Sequence, residues 1–190
     1  LVQGLGEVVA EVELGAGFAR AVEMHRTIME VEMAHNLHRD YEKGRDRFSA
    51  VLRKLIERGR GYAAVDYAAA VAGIPSLNDA LDPVFDEFDA IVTPAAPGEA
   101  PHGLETTGDP IFCTTWTYLG TPAVTLPLLR SAAGMPLGVQ LVGRRDGDAR
   151  LLRTAHWLVT TLGSARRRPG KKATAAGRAD SPRTRKRKSS

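Results

Sequence analysis

Apolar positions in the first half of this chain recur mostly at helical spacing, whereas in the second half they gather into short β-type runs. The opening is an exception. Residues 6–14 alternate Val8, Val12 and Leu14 with Glu11 and Glu13, the period of two expected of a half-buried strand. From Phe18 to about Tyr41, one helical stripe carries Ala21, Met24, Ile28, Val31 and Ala34, and the adjoining stripe carries Val22, Met29, Met33 and Leu37. Two neighbouring apolar stripes predict a long, well-buried helix. Phe48, Val51, Leu52, Leu55 and Ile56 then predict an amphipathic helix between Asp46 and a stop at Gly59. An alanine-rich helix over 62–72 should end at Gly73-Ile74-Pro75. A further short helix should begin with Asp82 as N-cap and Pro83 in the first position, with Val84, Phe85 and Phe88 as its apolar face.

After Asp89 the texture changes. Residues 90–94 form an apolar run closed by proline, a buried strand by pattern, and residues 95–110 are loop by composition. Two β-rich runs, 122–129 and 136–143, flank a short polar link and predict an antiparallel hairpin. Pro122 and Pro127 lack a ladder donor and should mark the ends of its first strand, while Gly134 and Gly138 permit the turn and a close backbone approach. A last helix opens at Gly147-Asp148, buries Leu151, Leu152, Ala155, Leu158, Val159 and Leu162, and should stop at Gly163. Helices mixed with strands give the α/β class, and no internal repeat is present at a period of 20 to 50 residues.

Composition divides the chain in two. Residues 164–190 hold 11 Lys or Arg against one acid, Asp180, and no large apolar side chain. Such a segment has no burial to offset its ordering entropy, so it is expected to be a disordered basic tail on a folded portion spanning 1–163. That portion has 15 basic and 21 acidic residues, so the overall charge of +4 hides an acidic body. An acidic body lacks the cationic face that a nucleic-acid-binding domain uses to replace phosphate counterions. The tail is then expected to be a solubilising or incidental extension, the alternative being a weak, non-specific tether to nucleic acid or anionic surfaces. No apolar run approaches the roughly 20 residues that cross a bilayer, and the first residues lack the basic start and apolar stretch of a signal peptide, so no membrane association and a cytoplasmic location are expected. The single cysteine, Cys113, cannot form an internal disulfide or a thiolate metal site, and reads as a small buried residue.

The second half carries a resemblance. Residues 88–101 (FDAIVTPAAPGEAP), 107–129 (TGDPIFCTTWTYLGTPAVTLPLL) and 134–155 (GMPLGVQLVGRRDGDARLLRTA) are similar, in order and spacing, to the closing third of amidase-signature enzymes. The most telling motif is the hairpin arm with Gly134, Pro136, Gly138, Gln140 and Gly143, followed by an aspartate and the Leu-Leu pair of the last helix. A looser likeness in Phe18, His25, Ile28, Met29 and Asp66-Tyr67 extends the resemblance to roughly residues 6–163. It implies part of a mixed β-sheet flanked by helices, with the chain as the carboxy-terminal portion of that domain. If so, its strands have neighbours elsewhere. Self-association into a homo-oligomer is the expected result when they are unpaired.

What the resemblance implies chemically is amide hydrolysis by a serine nucleophile, a relay serine and a buried lysine base, acting on a small-molecule amide without a cofactor. A lysine becomes a base only when burial or neighbouring charge lowers its pKa, and glycine amides then stabilise the oxyanion. Here Ser49, Ser76, Ser131, Ser164 and Ser181 are scattered, only Ser189 and Ser190 are adjacent, and no glycine-rich stretch surrounds them. Lys43 and Lys54 sit among charged residues, and Lys171, Lys172, Lys186 and Lys188 are in the tail. No catalytic residue is therefore assigned, and the chain alone is expected to be inactive. The alternatives are a non-catalytic binding or assembly module on the same scaffold and a glutaminase-like subunit of an amidotransferase.

The candidate substrate-binding residues are Phe112 and Trp116. They follow Gly108-Asp109 in the segment that the resemblance places near the acyl pocket; the alternative is that both fill the core. Thr117 stands where similar sequences often carry Asn. Glu32, His35 and His38 have the i, i+3, i+6 spacing of a metal-binding helix, but no matching carboxylate helix exists, so no metal site is assigned. His156 and Trp157 are expected to pack rather than react, and His102 lies in the loop.

Overall fold

The computed structural model describes the backbone of residues 9–167 and side chains as far as residue 162. Its helices are α1 (Ala21–Asn36), α2 (His38–Gly44), α3 (Ala50–Gly61), α4 (Ala64–Glu87), α5 (Ile111–Leu119) and α6 (Asp148–Arg167), and its strands are β1 (Ile91–Pro94), β2 (Ala123–Arg130) and β3 (Pro136–Val142). The strands form one sheet in the order β1-β3-β2, with both pairs antiparallel. The fold is α/β, as the periods require, and the expected hairpin is the β2–β3 pair.

The central strand organises the packing. Val139, Gln140, Leu141 and Val142 are all buried, so β3 is covered on both faces. Val142 joins Leu77, Leu81 and Phe85 of α4 and Trp116, Tyr118 and Leu119 of α5 in one cluster. Leu141, pointing the other way by the strand's period of two, joins Leu151, Ala155 and Leu158 of α6 in another. A third cluster, Ala34, Tyr41 and Ile56, holds α1, α2 and α3 together.

Several elements depart from the pattern-based expectation. Among the described residues, 9–14 form no strand, and Val8 lies outside them. No described strand pairs there: Val9 and Val12 instead line, with Phe88, Ile91 and Val92, a cleft of about 510 Å³ beside β1. Alternation alone cannot supply a partner. The long first helix is broken at Leu37, preceded by a 3-10 turn over Ala16–Arg20, and the jog brings Tyr41 against Ala34 and Ile56. Ser49, not Asp46, starts α3, its Oγ accepting from the Leu52 amide at 3.2 Å.

The two expected helices around Pro75 are one. Helix α4 runs through both Pro75 and Pro83. A proline inside a helix costs about 3 kcal/mol, but Ala70, Leu77, Leu81 and Phe85 form one buried stripe across both, and each large apolar side chain so buried contributes about 1.5–3 kcal/mol. Tertiary burial outweighs the local signal. Pro127 likewise does not end its strand; it lies within β2, at the register shift between Leu126 and Leu129, where an outer strand tolerates a missing donor. Helix α6 continues past Gly163 to Arg167 because its hydrogen-bonded turns do not need further apolar residues. The rest of the predicted tail, 168–190, lies outside the described residues.

Helices α1 and α3 cross in intimate contact at Gly59, where an added Cβ would lie 1.9 Å from the Glu30 carbonyl oxygen. Beside it the fully buried Glu30 carboxylate accepts from Arg58 Nε at 2.9 Å, from Arg58 Nη2, and from the Tyr62 hydroxyl at 3.3 Å. The substitution Gly59→Ala should therefore destabilise this arm by at least about 2 kcal/mol, from overpacking, in thermal or denaturant unfolding. Gly61→Ala, with open space around it, should be neutral or slightly stabilising. Equal effects from the two substitutions would contradict the close crossing.

Candidate functional site

The segment singled out after Gly108-Asp109 is a helix start. Asp109 Oδ1 accepts from the Ile111 amide at 3.0 Å, giving the chain an Asx turn into α5, and Gly120 ends the helix in the left-handed region at φ 65°. Sequence periodicity gave no element here. With only nine residues, α5 is too short for a clear helical period, and most of its residues are apolar or Thr.

The side chain that fixes this helix against the sheet is Gln140, in the middle of β3. Its Nε2 donates to Thr93 Oγ1 on β1 at 3.0 Å and to the Phe112 carbonyl in the first turn of α5 at 2.9 Å. Its Oε1 lies 3.5 Å from Cys113 Sγ, which is also 3.5 Å from the Ala95 carbonyl. The thiol can donate to either oxygen, and Cys113 is a half-buried member of a polar network as well as a small space-filler. Gly138 completes the corner: its carbonyl accepts from the Ala95 amide at 3.1 Å, and a Cβ on it would come within 2.5 Å of Thr125 and 2.9 Å of Ala95. The start of the exposed loop 95–110, the first turn of α5 and the sheet are held as one unit.

The two candidate substrate residues separate within this unit. Phe112 is half-buried at the first turn, whereas Trp116, one turn on, is only 6% exposed and belongs to the core cluster with Leu119 and Val142. Thr117 is exposed, its hydroxyl donating to the Cys113 carbonyl at 3.0 Å. Sequence reasoning passed over Thr93 and Gln140 as site residues. The signal was present, because an amide flanked by apolar residues in a strand buried on both faces must find partners inside the protein.

The described serines have structural uses or stand exposed. Ser49 caps α3, Ser131 Oγ accepts from the Met135 amide in the hairpin turn at 3.1 Å, and Ser76 is exposed on α4. Lys43 and Lys54 are exposed; the side chain of Ser164 and the remaining serines and lysines lie outside the described residues. His25 is half-buried and desolvation holds its pKa below the ordinary value, favouring the neutral ring, while His102 is exposed in the loop. Of the metal-like triplet, Glu32 accepts from the Tyr67 hydroxyl at 3.0 Å and His38 Nδ1 faces Arg60, and no metal-binding cluster of three ligands occurs among the described residues. His156 and Trp157 are both exposed; Trp157 borders a groove with Phe88 and Val92. Among the described residues the arrangement fixes the first turn of α5, with Phe112, against the sheet, and it holds no nucleophile paired with a base.

Comparison with known proteins bears on this arrangement. The family described as Amidase matches residues 7–152. A glutamyl-tRNA(Gln) amidotransferase subunit of Cupriavidus necator is 33% identical over 144 residues, covering 69% of this chain and 29% of that protein. A fatty acid amide hydrolase of Medicago truncatula is 30% identical over 151 residues, covering 73% of this chain and 25% of that one. Among solved structures, one described as an amidase superposes with a TM-score of 0.73 at 26% identity, over 83% of this chain and 39% of its own. The chain thus spans well under half the length of these relatives. No helix among the described residues is long and apolar enough to cross a membrane.

Replacing Gln140 by Leu keeps the strand apolar but leaves the Phe112 carbonyl and Thr93 hydroxyl without their donor, which should cost about 1–3 kcal/mol of stability. Its more specific expected effect is faster modification of Cys113 by a thiol reagent and faster amide exchange through residues 95–113. Unchanged Cys113 reactivity in a folded Gln140→Leu variant would mean that the network does not hold the loop.

Proposed function

Because the chain belongs to the amidase family, we propose that it is the carboxy-terminal part of an amidohydrolase cleaving a carboxylic amide to the acid and ammonia or an amine. The serine nucleophile, the relay serine and the lysine base are carried by a segment outside these 190 residues. The observation that carries this reading is the pairing of a family match over residues 7–152 with described serines that are capping, turn or exposed residues. In it, Phe112 forms the apolar wall met by the acyl group of a small-molecule amide, and Trp116, on the same helical face, backs that wall from the core. Gln140 sets the angle at which the first turn of α5 presents Phe112. The remainder of the domain pairs with the open edge of β1, which also accounts for self-association of the chain when alone.

On this reading the purified chain releases no ammonia from acetamide or benzamide. A longer chain that adds a Gly-Ser-rich segment with a preceding lysine hydrolyses them, and Phe112→Ala in that chain raises KM for an apolar amide about tenfold with a smaller change in kcat. Turnover by the 190 residues alone that survives replacing Ser49, Ser76 and Ser131 together would overturn the reading. The likeness to part of an amidotransferase favours a second form of it, in which glutamine is the amide hydrolysed; ammonia release from glutamine but not benzamide by the longer chain selects that form. Loss of the catalytic segment from an intact gene would instead leave a binding module on the same scaffold.

The basic segment 164–190 adds a weak, non-specific attraction to nucleic acid. Binding to arbitrary duplex DNA should fall steeply with salt for the full chain and be absent from residues 1–163. Equal weak binding by both removes the tail from the account.

A further inference from the structure

We propose that the concavity where α1, α2 and α3 meet is a binding site for the phosphate group of a small phosphomonoester. It is separate from the corner around Gln140 and Phe112. The hollow, about 630 Å³, is lined by Ala34, His35, Asn36, His38, Arg39 and Arg60, and the one carboxylate bonded to its wall among the described residues is Glu42, held by Arg60. In a body with more acidic than basic residues, that is a local reversal of charge.

The cations are fixed to different degrees, and the difference matters. Arg60 is pre-positioned: its guanidinium carbon lies 4.7 Å from the centre of the Tyr41 ring, and Nη2 donates to Glu42 Oε1 at 2.7 Å. Tyr41 is itself buried and tied down, its hydroxyl donating to Glu57 at 2.8 Å and accepting from Arg45 Nε at 3.0 Å. Glu42 is held below the usual carboxylate range chiefly by its hydrogen bond to Arg60, so it stays ionised as the counterion that orients the guanidinium. A guanidinium has five N–H donors, and Glu42 accepts from one nitrogen of it, leaving the fork able to meet an anion. His38 Nδ1 lies 3.3 Å from Arg60 Nη2. The same His38 nitrogen is 3.9 Å from Glu42 Oε1, so His38, Glu42 and Arg60 form one polar cluster at this end of the hollow.

Arg39 and His35, by contrast, have no hydrogen-bond or ion-pair partner among the described residues, and neither does the Asn36 amide. Two guanidiniums reaching one hollow from α2 and α3, with one acid between them, leave a net positive charge. Guanidiniums on two helices can each offer paired N–H donors to a phosphate, which carries more acceptor oxygens and more negative charge than a carboxylate. The hollow falls in the size range of small-molecule sites, so there is room for an organic group attached to the phosphate. The same site would take inorganic phosphate more weakly, and the strand-like phosphates of a nucleic acid only through their terminal group.

Equilibrium dialysis of the full chain reads bound ligand whatever its state of association. The probes are inorganic phosphate, adenosine 5′-monophosphate and a short duplex DNA without terminal phosphates, each with the wild type, Arg39→Gln and Arg60→Gln. Arg39 has no partner to lose, so Arg39→Gln should keep the fold, checked by helical circular dichroism, and weaken both small phosphates about tenfold. Arg60→Gln should do the same. The duplex should be unaffected by either, because it engages only the basic segment 164–190, and a chain ending at residue 163 should keep the small-phosphate site. Unchanged phosphate binding in a folded Arg39→Gln variant, or loss of all binding on removing 164–190, would overturn the proposal. So would duplex binding that falls with Arg39→Gln, which would make the hollow a nucleic-acid contact. Amide hydrolysis is not part of the readout, so failure here leaves the amidohydrolase reading standing.

Discussion

The amide of Gln140 is the interaction on which the placement of the candidate site depends. It lies at the centre of a strand covered on both faces, where an unpaired amide would be costly, and its donors are spent on two different elements, β1 and α5. A buried side chain with directional partners does something that apolar packing cannot. Leu141 and Val142 can slide by a fraction of an ångström at little cost, but the Phe112 carbonyl must stay within hydrogen-bond reach of one nitrogen. The network fixes register where burial fixes only proximity. Membership of the amidase family is therefore read most sharply in the residues of this arm, Gly138 and Gln140 among them.

The helical arm obeys a different constraint. There the close approach of α1 and α3 at Gly59 brings backbone against backbone, and Glu30 is buried in the process. A lone carboxylate in that position would be prohibitive, and the Arg58 fork with the Tyr62 hydroxyl answers its lone pairs. Arg58 remains half in solvent, so the ion pair is desolvated on one side only. The arm is thus clipped by chemistry at one point and by apolar contact at another, Tyr41 with Phe48 and Ile56. The ring that serves this core also carries Arg60 on its face, which couples the packing of the arm to the presentation of its cations.

Much of this was legible in the sequence, and the misses share a cause. The class, the hairpin, β1 and the amphipathic helices followed from period, because each is decided by which face is buried. Val8 to Leu14 has the right alternation, but a strand is a relation between two segments, and no described segment pairs with residues 9–14. Pro75 and Pro83 are strong local stop signals, overruled by a burial stripe that becomes visible only when Leu77, Leu81 and Phe85 are seen against α5 and β3. Phe112 and Trp116 lie one turn apart on α5. Their different depths follow from the angle of α5, which is set by Gln140 and lies beyond any periodicity argument.

The residues that make the family recognisable are chiefly those that shape the scaffold, and this limits what recognition says about substrate. Gly134 at φ 84° turns the hairpin, Gly138 admits Ala95, and Gly143 lies close against Leu151 of α6. None of these can select one amide over another, because they hold no group toward a ligand. Around that frame Phe112 is half-buried and the loop 96–110 is exposed, so these residues are not held by the packing that fixes the glycines. A change in the exposed loop leaves the sheet as it is, whereas a side chain at Gly138 forces Thr125 and Ala95 apart and moves the whole corner. The same division explains why a motif can place this chain in a family whose members carry such different descriptions as fatty acid amide hydrolase and glutamyl-tRNA(Gln) amidotransferase. The frame sets where the first turn of α5 meets the sheet, through Gln140, Thr93 and the Phe112 carbonyl, and that geometry is indifferent to which amide is bound.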